Sequence, residues 1–69
     1  MRFNVFGRFQ LDVEREGEAW VAYRVAGAVR RADHDIRIPA HLDGGEIKEF
    51  LADVFHELAE PGESVSLLN

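Results

Sequence analysis

Apolar and polar residues alternate along the first stretch of the chain. Phe3, Val5, Phe9, Leu11 and Val13 stand at odd positions, with Arg2, Asn4, Arg8, Gln10, Asp12 and Glu14 at even ones. A period of two over a dozen residues marks a strand with one buried face. The pattern predicts one long strand over residues 2–15, with Gly7 as a bulge or bend inside it. A tight turn at Gly7-Arg8 would pair Val5 with Gln10 and Phe3 with Asp12. Cross-strand partners share a face, so such unlike pairs argue against it.

Glu16-Gly17-Glu18 reads as the first turn and residues 19–26 as the second strand. A three-residue loop would pair Val13 with Val21, Leu11 with Tyr23 and Phe9 with Val25. A two-residue loop would instead set Trp20, Ala22 and Arg24 on the buried face. The first register buries more carbon and no charge and is the one expected. It leaves Trp20 on the outer face with Phe6, Arg8 and Arg24.

Beyond Gly27 only Ile36 and Ile38 alternate well, which predicts a third strand over residues 34–38, closed by Pro39. A helix is expected over residues 44–60. Asp43 and Glu46 form a capping-box pattern, and Leu42 and Ile47 hold the two positions of a hydrophobic staple. Ile47, Phe50, Leu51, Val54, Phe55 and Leu58 follow as one apolar stripe, and Pro61-Gly62 stops it. Residues 61–69 are a tail or, through Val65 and Leu67, a short edge strand. The expected architecture is one α+β domain over residues 1–69, a two-layer βββα sandwich. A three-stranded antiparallel sheet would pack on one C-terminal amphipathic helix.

The absence of cysteine excludes disulfides and thiolate metal sites. No apolar run approaches the ~20 residues that span a bilayer, and residues 1–6 hold no signal-like stretch. A cytoplasmic protein without membrane partners is expected. The net charge of −5 is unevenly placed. Residues 1–38 hold seven arginines against six acids, whereas residues 39–69 hold Lys48 against seven acids. The second half is therefore strongly acidic, which bears on partners rather than on fold.

Four short motifs carry a family likeness: Phe3-Asn4-Val5-Phe6-Gly7, Trp20 in the second strand, Ile38-Pro39, and Asp53-x-x-His56-Glu57. With them the chain resembles a group of short bacterial proteins of about this length with no assigned function. The resemblance covers nearly the whole chain, implies a compact βα protein of bacteria, and carries no catalytic residue. The strand order also resembles βββα DNA-binding domains that read the major groove with a sheet, a likeness of topology alone.

Candidate chemistry is sparse. The only serines, Ser64 and Ser66, lie near the end of the chain, so no nucleophile is evident and no catalytic residue is assigned. Asp33-His34-Asp35 cannot chelate as an extended segment, because its carboxylates point away from the imidazole. Asp53, His56 and Glu57 share a helix face that would hold a metal only weakly; a solvated surface with His56 against Asp53 is the simpler reading. Gly44-Gly45 opens a helix already flanked by Asp43 and Glu46, so no phosphate or other cofactor is expected.

Two surfaces remain. Glu46, Glu49, Asp53, Glu57 and Glu60, with His56 beside them, form an acidic ridge suited to a basic partner or simply to solubility. The open sheet face would expose Phe6 and Trp20 with Arg8, Arg24 and Arg30, a composition of interface hot spots and of stacking platforms. The expected function is a non-enzymatic protein-interaction module that meets itself as a homodimer or meets another protein. In this reading Trp20→Ala would release the partner and leave the fold intact. The alternatives are a nucleic-acid-binding domain, which the negative charge disfavours, and a small metal-dependent protein.

Overall fold

A computed structural model describes residues 1–69. The N-terminal alternation belongs to two strands rather than one. β1 (Arg2–Val5) and β2 (Phe9–Glu16) form an antiparallel hairpin that pairs Phe3 with Leu11 and Val5 with Phe9. Three loop residues, an odd number, carry the apolar phase unbroken through the turn. Period alone therefore cannot separate this hairpin from one long strand. Phe6 and Gly7 take φ values of 55° and 72°, and the Arg8 N–H donates to the Val5 carbonyl at 3.0 Å. Positive φ at a phenylalanine costs about 1–3 kcal/mol. The ring is only 5% exposed, and burying it contributes about 1.5–3 kcal/mol, enough to offset the strain. Phe6 is thus core, not part of an exposed sheet face.

The second hairpin also departs from the expected register. β3 (Ala19–Ala26) pairs with β2 through the two-residue loop Gly17-Glu18, matching Val13 with Ala22, Arg15 with Trp20 and Leu11 with Arg24. Trp20, Ala22 and Arg24 therefore lie on the helix side of the sheet, and Val21, Tyr23 and Val25 face outward. The preference for burying most carbon fails because Arg24 is not buried. It sits exposed at the sheet perimeter, with its guanidinium 4.1 Å from the Phe9 ring centre and 5.8 Å from that of Phe55. A cation there keeps its water and gains the ring faces.

A further two-residue turn, Gly27-Ala28, leads to β4 (Val29–Ala32), which pairs with β3. Residues 34–38 form no strand. The Asp33 side chain accepts the Asp35 N–H at 3.1 Å, and the Ile36 N–H donates to the Asp33 carbonyl. That local turn takes the chain off the sheet. Ile36 and Ile38 are nonetheless buried, beside Trp20 and Ala22. Their alternation reports burial without pairing.

The helix begins where expected. The Glu46 N–H donates to Asp43 Oδ1 at 3.1 Å and the Asp43 N–H to Glu46 Oε1 at 3.0 Å, a complete capping box. Its first turn, Gly44–Glu46, is a 3-10 turn, and α1 proper is only Ile47–Val54. Phe55 then leaves helical geometry, and a second 3-10 turn covers His56–Leu58. Phe55 meets Phe9 edge-on at 5.1 Å. No basic residue stands in the last turn of α1 to complement its dipole, while Asp53 opposes it.

The helix is not the last element. β5 (Val65–Leu67) returns antiparallel to β1, pairing Val65 with Val5 and Leu67 with Phe3. The sheet has five strands in the order β4-β3-β2-β1-β5, not three. α1 packs on β1 and β5 at one end of the sheet. All eleven buried residues are apolar, from Phe3 and Leu11 in the sheet to Ile47 and Leu51 in the helix.

Candidate functional site

Three polar or open regions surround this core. The outer sheet face is the first, and it pairs with itself. Arg2 Nε and Nη2 donate to the two Asp12 carboxylate oxygens at 2.7 and 2.9 Å. Arg30 pairs with Glu14, lies 3.5 Å from Asp12, and stacks over Tyr23, whose hydroxyl donates to Glu16. The Arg2 hydrogen bonds hold the Asp12 carboxyl below its ordinary range, and Arg30 does the same for Glu14. The face is a self-satisfied charge ladder, not an aromatic platform.

A group whose folded-state pKa is depressed contributes stability above its unfolded pKa and loses it as pH falls through the folded value. For Asp12 and Glu14 the loss starts below about pH 4, the ordinary carboxylate range. Thermal melts at pH 5, 4, 3 and 2 should show a progressive fall in Tm. Asp12→Asn with Glu14→Gln should flatten that fall; an equally steep one in the double variant would rule these carboxylates out as its source.

The helix-side perimeter is the second region. Trp20 is half-buried there and donates its Nε1–H to the Leu42 carbonyl at 2.9 Å. Arg15 lies over its ring at 4.8 Å and donates to the Ala40 carbonyl. Arg24 pairs with Asp33 at 3.0 Å. Arg8 donates to the Leu58 carbonyl at 2.9 Å and lies 3.5 Å from Glu63. Trp20, Arg8 and Arg24 therefore fasten the loops and the helix region to the sheet. They share no open surface with Phe6.

The third region is the β5 edge. The Phe6 N–H donates to the Ser64 carbonyl and the Leu68 N–H to the Arg2 carbonyl. Antiparallel ladder bonds alternate, so the peptide groups of Val65 and Leu67 point away from β1. Beside this edge runs a groove of about 530 Å³. Phe6, Ala52, Ala59 and Val65 are its apolar lining, and Lys48, Glu49, His56 and Glu63 are among its polar residues. Glu49, Ala52 and His56 recur at helical spacing, which places one side of the helix region along the strand. His56 Nδ1 lies 2.8 Å from the Asp53 carbonyl. A carbonyl only accepts, so Nδ1 is the donor in this contact. Of the predicted acidic ridge, Glu49 and Asp53 stand on α1 and Glu57 in the 3-10 turn after it. None of their three carboxylates has an ion-pair partner.

No group of three His, Asp or Glu side chains is placed to hold a metal ion, and no helix is long and apolar enough to cross a membrane. The residues that matter at the third region, Ala52, Val65 and Leu67, are apolar or small. Val65 and Leu67 are the residues from which the sequence suggests a short edge strand, whereas Ala52 carries no signal of its own.

A family profile described as a domain of unknown function (DUF7661) matches residues 1–69. The chain belongs to the DUF7661 family. No curated protein and no solved structure matches it. The family description assigns no chemistry, so the case for any site in this DUF7661 domain rests on its own geometry. By that measure the two sheet edges of the DUF7661 domain differ. β4 carries Arg30 and Arg31 among its four residues, while β5 carries no charge.

Proposed function

We propose that the domain is a non-enzymatic protein-interaction module that captures an extended segment of another protein at the β5 edge. One observation carries this reading: β5 is an uncharged edge strand, exposed at Leu67 and bordering a groove at the buried Val65, whereas the opposite edge is guarded by arginines. Charged residues are a common protection against unwanted strand addition, and an edge left without them is open to a partner. Main-chain hydrogen bonds to such an edge supply affinity, and an adjoining groove receives alternate side chains. The site accordingly moves from Trp20 to Val65, Leu67 and Ala52, with Phe6 in the groove lining.

The nucleic-acid reading has less behind it. Arg2, Arg8, Arg15, Arg24 and Arg30 are each engaged by groups of the chain itself. That leaves few free cations for phosphate, against a net charge of −5.

The test uses a seven-residue Thr/Val alternating peptide, capped at both ends, titrated at up to millimolar concentration into 15N-labelled protein. Resonances of Val65, Leu67 and Ala52 should shift, and the amide of the exposed Leu67 should gain exchange protection. Leu67→Pro removes an outward N–H and no ladder bond, so the β1–β5 pairing should survive. The response should vanish in that variant. Absence of shifts in the parent, or equal shifts in Leu67→Pro, would discard the edge as the docking site.

A further inference from the structure

Building on that reading, we infer that the segment captured at β5 carries a lysine or arginine on its helix-facing side. The groove and its charges lead there together. A strand added beside β5 places alternate side chains toward α1, over a lining that includes Phe6, Ala52 and Val65. Glu49, Glu63 and Lys48 line the same groove; Arg8 already lies 3.5 Å from Glu63, so Glu49 is the groove carboxylate without an ion-pair partner. A long basic side chain suits this section: its methylene stem covers the apolar lining while its charged head reaches Glu49. An apolar side chain would satisfy only the lining, and an acidic one would meet Glu49 and Glu63.

The wider charge distribution has the same sign. Residues 39–69 hold seven acids against Lys48, and the carboxylates of Glu49, Asp53 and Glu57 have no ion-pair partner. A field of this kind draws in basic segments and holds off acidic ones. It also argues against a second copy of the chain. Its edge, Ser64–Leu68, brings no cation, and pairing β5 with β5 would set one acidic helix beside the other.

Three capped seven-residue peptides test this: Thr alternating with Lys, with Val and with Glu, each titrated at 20 mM and 300 mM salt. The Lys peptide should bind at least about tenfold tighter than the Glu peptide at low salt. Screening should narrow that ratio at high salt. Glu49→Lys should weaken the Lys peptide several-fold, while Glu18→Lys, the same charge change in the distant β2–β3 turn, should leave it nearly unchanged. Equal losses in the two variants would reduce the effect to net charge and overturn the inference. So would a Val peptide that binds as tightly as the Lys peptide, although the edge reading would then stand. Failure of all three peptides would remove both. A dimer mass by light scattering that Leu67→Pro returns to monomer would replace the basic partner with a second copy.

Discussion

Phe3→Ala is expected to lose about 3–5 kcal/mol of stability, the usual cost of truncating a buried phenylalanine. Phe3 is 1% exposed and sits between Leu11 of β2 and Leu67 of β5. It belongs to the same buried cluster as Ile47 and Leu51 of α1. The removed ring would leave a cavity whose walls come from both layers, and a sheet held to one short helix has few ways to collapse into it. At roughly 0.05–0.15 kcal/mol per residue, a chain of 69 residues has a total stability of about 3–10 kcal/mol. Phe3→Ala therefore brings the domain to the edge of unfolding at 25 °C. Urea denaturation followed by circular dichroism measures this directly. A midpoint shift worth less than about 1 kcal/mol would mean that the β1–β2–β5 core is not packed as described.

Trp20→Ala should destabilise the fold by about 3 kcal/mol, where the sequence reading expected only a lost partner. Two contributions add: about 2 kcal/mol for a large, half-buried side chain, and about 1 kcal/mol for the hydrogen bond to the Leu42 carbonyl. Arg15 would also lose the ring it covers. Trp20→Phe separates these contributions, because it keeps most of the packing and removes the N–H donor. Its cost should be about 1 kcal/mol. Trp20 is the sole tryptophan, so dichroism rather than intrinsic fluorescence must follow unfolding. If Trp20→Ala melts like the parent protein, the two-residue register of the β2–β3 hairpin is wrong and the exposed-tryptophan reading returns.

The two variants also mark how far the sequence could be read. Phe3, Val5, Leu11 and Val13 were identifiable as core because their alternation is undisturbed by charge. The capping box of Asp43 and Glu46 was readable because it is made of neighbours in the chain. The stripe of Ile47 and Leu51 was visible for the same reason, although Phe55 left the helix to meet Phe9. Trp20 and Arg24 were misplaced because both hairpin registers satisfy local patterning. The choice between them depends on rings and carboxylates contributed by other elements: Phe9, Phe55 and Asp33. Ile36 and Ile38 were rightly read as buried and wrongly read as a strand, since burial in a loop leaves the same alternation.

The candidate site was legible only in pieces: Phe6, Glu49 and His56 stood among the expected interaction residues, and Val65 and Leu67 suggested a short edge strand. An edge strand is an edge only by its place in the sheet, and the alternation of Val65 and Leu67 is too short to say which strand it joins. Its groove is shared by Phe6, Ala52 and Val65, far apart in the chain and unremarkable as residue types. The acidic character of that region, by contrast, is a sum over residues 39–69 and needs no fold to be seen.

What the sequence determined alone is what neighbours in the chain decide: the faces of β1 and β2, the start of the helix, the lack of cysteine chemistry and the acidic second half. What the tertiary structure decided is everything set by contacts between distant segments. These are the hairpin at Phe6–Arg8, the two-residue turn that brings Trp20 inward, the break at Phe55 and the pairing of β5 with β1. The physical reason is that alternation fixes which residues share a face within one strand. Loop length and strand order are chosen by the packing energy of the whole core, and that energy is not local.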